Sequence, residues 1–213
     1  MSLDSLIDRL SGELRPVRPR RAWLDFLIIA AICVAELIVF FALGAALPDM
    51  PMRMHQPTFW WRLVSLGLIA VISGVPAIFS FAPTYSPRRS LQRLFAVIVV
   101  CLAAGLCIGA GPNDLESLVR RIDWTNGIQC ASKMIALSVP SVLGLGALMR
   151  RGAAIDRGRT ALLVGIAGAA WGAFVFVFAC PFNDPLYIAV WYTIGCGIVV
   201  LIARLILPRL ARW

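Results

Sequence analysis

Trp23 to Leu47 reads WLDFLIIAAICVAELIVFFALGAAL, a run of 25 residues whose only charged side chains are Asp25 and Glu36. Crossing ~30 Å of hydrocarbon at about 1.5 Å per helical residue takes roughly 20 apolar residues, so this run is long enough to span a bilayer. It must do so as a helix, because lipid offers backbone amides no hydrogen-bond partner. A basic stretch precedes it, as in a signal peptide. Its length and the lack of an Ala-x-Ala ending mark it instead as an anchor that is retained.

Five more runs follow: Phe59 to Ala82, Leu91 to Ala110, Ala131 to Met149, Thr160 to Ala179 and Leu186 to Leu207. Hydrophobic residues make up 60% of the chain and charged ones 15%, with a mean hydropathy of +0.85. A water-soluble core of this size cannot hide so much apolar surface. The expected fold is an all-α membrane protein, a six-transmembrane-helix bundle over residues 23–213 preceded by a short N-terminal cytoplasmic amphipathic helix in residues 1–22. No internal repeat or long linker divides the bundle.

Orientation follows from the cations, since short loops rich in Arg and Lys stay in the cytoplasm. Arg9, Arg15, Arg18, Arg20, Arg21, Arg88, Arg89, Arg93, Arg150, Arg151, Arg157, Arg159, Arg204, Arg209 and Arg212 fall on one side. Arg53, Arg62, Arg120, Arg121 and Lys133 fall on the other, a 15 to 5 split of the 20 cations that alternates across all six spans. Both termini are expected in the cytoplasm of a bacterial inner membrane. The net charge of +9 is met by lipid headgroups beside the spans, so direct nucleic-acid binding is not expected. Trp23 and Trp213 at one boundary, with Trp60, Trp61 and Trp124 at the other, fit interfacial belts.

In the first 22 residues Leu3, Leu6, Ile7, Leu10 and Leu14 recur at helical spacing, with Ser2 or Asp4 placed to cap and Pro16 and Pro19 to end the helix. Such a stripe can lie on anionic lipid or dock in a partner's groove. The remaining cytoplasmic pieces are too short to fold as a catalytic domain. On the outer side, Asn113-x-x-Glu116 has capping-box spacing, and Leu115, Leu118, Val119 and Ile122 share a face. Pro76 and Pro140 are expected to kink the second and fourth spans, and Gly168-x-x-x-Gly172 to let the fifth pack closely.

Chemistry has few carriers. There is no phosphate-binding Gly loop, no His-Glu-x-x-His and one histidine, His55, which sits near Met50, Met52 and Met54; a lone His with scattered Met is more often an ordinary loop than a soft-metal site. Glu36, in mid-span, is a candidate for a proton or ion pathway, with a neutral carboxyl hydrogen-bonded to a neighbouring helix as the plainer alternative. Of six cysteines, Cys33, Cys101, Cys107 and Cys196 lie within spans. Cys130 and Cys180 are placed at the outer mouths of the fourth and fifth spans, which a short loop makes antiparallel neighbours. As exposed thiols they could form a disulfide, hold a soft metal or react with an oxidant, and a permanent disulfide or two unrelated thiols are equally open.

Leu6-Ile-Asp-Arg-Leu10, Pro16-Val-Arg18, Cys180-Pro-Phe-Asn-Asp-Pro-Leu-Tyr-Ile-Ala-Val-Trp-Tyr192 and Arg209-Leu-Ala-Arg-Trp213 resemble the NrsF-type membrane anti-sigma factors of proteobacteria. The likeness extends over the whole chain, and Cys180 to Tyr192 is its most specific part. It implies a regulator rather than an enzyme, with no cofactor, whose partner is an extracytoplasmic-function (ECF) sigma factor. The arm would bind that partner through Leu3, Leu6, Ile7, Leu10 and Leu14, with Asp8 and Arg9 setting register. The resemblance also implies that Cys130 and Cys180 respond to heavy-metal or oxidative stress, as a thiol pair or as metal ligands. Two rivals stand beside it: a small transporter or channel centred on Glu36, and a membrane thiol oxidoreductase, which the absence of Cys-x-x-Cys disfavours.

Overall fold

The computed structural model describes residues 21–108 and 121–210, so the arm residues Leu3, Leu6, Ile7, Asp8, Arg9, Leu10 and Leu14, and the Asn113-x-x-Glu116 segment, lie outside the described residues. Seven helices and no strand occur among the described residues: α1 (Ala22–Ala42), α2 (Met50–Arg53), α3 (Pro57–Phe79), α4 (Arg88–Ile108), α5 (Trp124–Arg150), α6 (Arg157–Phe176) and α7 (Pro185–Leu210). All but the short α2 are long and apolar enough to cross a membrane. Even α6, the shortest of the six at 20 residues, rises about 30 Å. Six spans were expected and six are present.

Their ends differ from the hydropathy boundaries because local capping, not hydropathy, terminates a helix. The first stops at Ala42 rather than Leu47, where Gly44 takes φ +66° and the amides of Gly44 and Ala45 donate to Phe41 O (3.0 Å) and Phe40 O (3.3 Å), closing a Schellman turn. Pro57 opens α3 at the first helical position, where its missing N–H costs nothing. The largest change is in α5, which starts at Trp124 rather than Ala131. Asp123, in the left-handed region at φ 37°, accepts the Asn126 amide at 3.4 Å and caps it. Asp156 likewise accepts the Arg159 amide at 2.9 Å and starts α6, which then ends at Phe176 rather than Ala179. The last helix continues past Leu207 through Pro208, which sits in the final turn and removes only a single ladder bond.

The bundle is built around α6, which is buried along most of its length between α3, α5 and α7; α1 packs mainly on α5, and α4 on α3 and α7. Small residues make this possible. A Cβ on Gly172 would meet Ser138 N at 2.6 Å, and one on Gly168 would meet Val142 Cγ2 at 2.3 Å, so the Gly168-x-x-x-Gly172 face lies directly against α5. Leu27 and Ile38 on α1, Val71 on α3, Val100 on α4 and Leu201 on α7 point outward, as lipid-facing side chains must.

Loops alternate between the two ends. At one end the Leu47 amide donates to Phe178 O at 3.0 Å and Arg53 donates to Pro181 O at 2.7 Å. At the other, the Ala153 amide donates to Phe81 O at 3.0 Å. Cys130 and Cys180 share the first of these ends, under a core of Met134, Phe176, Tyr187, Ile188, Trp191 and Tyr192.

Candidate functional site

The segment from Cys180 to Asp184 carries no regular structure and folds over the end of the bundle. Its far end is set by Asp184, which precedes Pro185 and accepts the Leu186 amide at 3.0 Å, an Asp-Pro start that caps α7. The same carboxylate takes both Nε and Nη2 of Arg121 at 2.6 Å, a bidentate ion pair. That guanidinium, bonded to it and beside it, holds the Asp184 carboxyl below its ordinary range. Trp191 completes the staple, donating from Nε1 to Ile122 O at 2.6 Å while its ring covers Gly127.

The near end is gripped from α3. Arg62 is only 1% exposed. Its Nη1 donates to Phe182 O and its Nη2 to Asn183 Oδ1, both at 3.0 Å, while its Nε is buried with no acceptor. With Arg53 on Pro181 O, three cations hold residues 181–184 in place. All three come from the minority side of the charge split.

The segment covers the two thiols. Both were expected to be exposed; they are buried instead, Cys130 at 7% and Cys180 at 0%. The reason is the early start of α5, which places Cys130 in its second turn rather than in a loop, and the strap of residues 181–184 above Cys180. Neither is in a disulfide. The two thiols lie in one buried cluster, and Tyr187 donates from its hydroxyl to Cys130 Sγ at 3.4 Å. Tyr192 brings a second hydroxyl beside Cys180, and Cys180 Sγ lies 3.7 Å from Phe182 O. The neighbouring Cys130 thiol, aided by the charge of Arg62, outweighs burial and draws the Cys180 thiol below its ordinary value. The arrangement suits loss of two electrons to form a disulfide. It suits a cationic metal poorly, for Arg62 stands beside the Cys180 sulfur, and no group of three or more His, Cys, Asp or Glu that could hold a metal occurs among the described residues.

The other candidates lie elsewhere. Glu36 accepts a 2.9 Å hydrogen bond from Trp171 Nε1 at one carboxyl oxygen, joining α1 to α6, while its Oε1 is buried with no hydrogen-bond partner. His55 and Met52 are exposed around the short α2. Arg62 and Tyr187 were missed as site residues. Arg62 had a usable signal, an ionisable residue inside an apolar run, the same rule that singled out Glu36. Tyr187 had none beyond its place in the Cys180 to Tyr192 stretch.

A family model described as "Negative regulator of sigma F" matches residues 10–213. Among curated proteins, the anti-sigma-F factor NrsF of Caulobacter vibrioides (strain NA1000 / CB15N) is 26% identical over 224 aligned positions, which cover 100% of both chains. No solved structure matches the chain. The six spans, the full-length likeness and the match over residues 10–213 lead to one conclusion: this chain belongs to the family of negative regulators of sigma F, membrane anti-sigma factors.

Proposed function

We propose that this protein holds an ECF sigma factor at the inner membrane through residues 1–22 and releases it when Cys130 and Cys180 are oxidised on the periplasmic side. The observation that carries the sensing half is the burial of the two thiols in one cluster beneath a strap held by Arg53, Arg62 and Arg121. The thiols' separation in sequence makes that cluster sensitive to the relative placement of α5, α6 and α7. Heavy-metal stress reaches the same site through thiol chemistry, with oxidation favoured over ion capture because the neighbouring guanidinium repels a metal cation.

The arm's role is supported by the family and by the stripe Leu3, Leu6, Ile7, Leu10 and Leu14, with Asp8 and Arg9 on the flanks. A signal acts only if the oxidised bundle presents the arm in a state that binds its partner less well. Two experiments bear on this. A chain lacking residues 2–14 should still insert but leave its sigma factor in the soluble fraction; retention at the membrane would refute the docking role. Cys130→Ser and Cys180→Ser should each abolish stress-induced release, and a normal response in both would remove the sensor.

A further inference from the structure

Exposure alone singles out Cys130 as the reactive thiol, since it is 7% exposed and Cys180 is fully buried. Charge singles out the other. Arg62 is a buried cation whose hydrogen bonds go to neutral acceptors, Phe182 O and Asn183 Oδ1, and whose Nε finds none. A guanidinium in such surroundings is costly unless an anion lies near it. Cys180 is the thiol nearest that charge, since its sulfur and the guanidinium share one carbonyl, Phe182 O. The contacts place the sulfur beside that charge: Cys180 Sγ donates to Phe182 O at 3.7 Å, the carbonyl that also takes Arg62 Nη1 at 3.0 Å, whereas Cys130 Sγ faces the Tyr187 hydroxyl.

The remaining charged and titratable groups do not reverse this polarity. Lys133, on α5, acts on Cys130 but is exposed and screened by solvent. Arg121 is engaged by Asp184, and Arg53 by Pro181 O. Tyr192 lies beside Cys180 from α7, and Asp123 acts on Tyr187 from the start of α5.

We propose that Arg62 is the positioning residue that selects Cys180 as the attacking thiolate and leaves Cys130 to resolve, when a hydroperoxide oxidises the pair. The Cys180 sulfur attacks the distal peroxide oxygen; the O–O bond breaks, and the leaving oxygen departs as alcohol or water with one thiol proton. Cys180 is then a sulfenic acid. The Cys130 sulfur attacks it, the S–O bond breaks, and hydroxide leaves as water with the second thiol proton while the S–S bond forms. Two thiols lose two electrons, and the peroxide gains them. Local opening of residues 181–184 admits the oxidant, so the side chain that holds this strap also prepares the nucleophile beneath it.

The inference rests on the thiol-sensing reading above but is tested separately, on the full-length protein reconstituted in nanodiscs with hydrogen peroxide and a sulfenic-acid trap read by mass spectrometry. In Cys130→Ser the trap should accumulate on Cys180. In Cys180→Ser, trapping on Cys130 should be at least about tenfold slower, since thiolate rather than thiol is the nucleophile. Arg62→Gln should slow disulfide formation by a similar factor, and Arg62→Lys, which keeps the charge, should restore most of the rate. Equal or faster trapping on Cys130 overturns the assignment even if no Arg62 variant folds. An Arg62→Gln protein that is folded yet oxidises at the parent rate, or an Arg62→Lys protein as slow as Arg62→Gln, removes the charge role. If peroxide chemistry follows the prediction while Cys130→Ser and Cys180→Ser cells still release the sigma factor, the chemistry stands and the sensor function fails.

Discussion

Asp184 does two jobs with one carboxylate, capping α7 and pairing with Arg121, and the two can be separated. Asn caps nearly as well as Asp, so Asp184→Asn removes mainly the ion pair, expected to cost about 1 kcal/mol for a bidentate but partly solvated pair. The pair also predicts a pH response. Because the folded carboxyl titrates below its ordinary value, its contribution is complete above about pH 4 and is lost as pH falls through the lowered value. Thermal melts in detergent between pH 7 and pH 3 should show an acid loss in the parent that Asp184→Asn lacks. At this scale the two cysteines were legible, because depth in a hydropathy profile separates Cys130 and Cys180 from the four others. Arg62 was counted only as a charge. Its contacts are with Phe182 and Asn183, well over a hundred positions away, and no local pattern reports them.

Among the helices, the α5–α6 seam depends on absent side chains. Gly172→Leu would drive a branched side chain into the Ser138 backbone and should cost about 1–3 kcal/mol or more by overpacking. Gly74→Ala on α3 is the control: a Cβ there meets nothing within 4 Å, and the melting temperature should not fall. The connection between the thiol end and α1 runs through Phe178. Its ring packs edge-on against Phe41, Phe59 and Phe174 at 5.4, 6.3 and 6.0 Å, and its carbonyl takes the Leu47 amide. Each such ring pair is worth about 0.5–1.5 kcal/mol, so Phe178→Ala should loosen the end of α1 nearest the thiols. Hydrogen exchange should rise at the Gly44, Ala45 and Leu47 amides; unchanged protection there would show that α1 is held by other contacts. The Gly168-x-x-x-Gly172 spacing announced a close seam. The ring cluster was not announced, because aromatic residues occur in five of the six apolar runs and spacing does not say which of them meet.

For the molecule as a whole, the charge split makes a topological prediction. Met52, 76% exposed, and Ile155, 72% exposed, lie at opposite ends of the bundle. In intact cells a membrane-impermeant maleimide should label Met52→Cys, and should label Ile155→Cys only after permeabilisation; the reverse pattern would invert the orientation. The number of crossings and the helical character of each were settled by the amino-acid order alone, since a run of about 20 apolar residues has one way to satisfy its backbone in lipid. The order also supplied a partition of cations between two sides. It did not settle where each helix ends, because Asp123, Asp156 and Gly44 act through backbone geometry that hydropathy ignores. Nor could it say that Cys130 and Cys180 are buried in contact, or that Arg62 and Tyr187 attend them. Those facts arise when α3, α5 and α7 close around α6 and bring distant stretches within hydrogen-bond reach, and contacts of that kind exist only once the packing is complete.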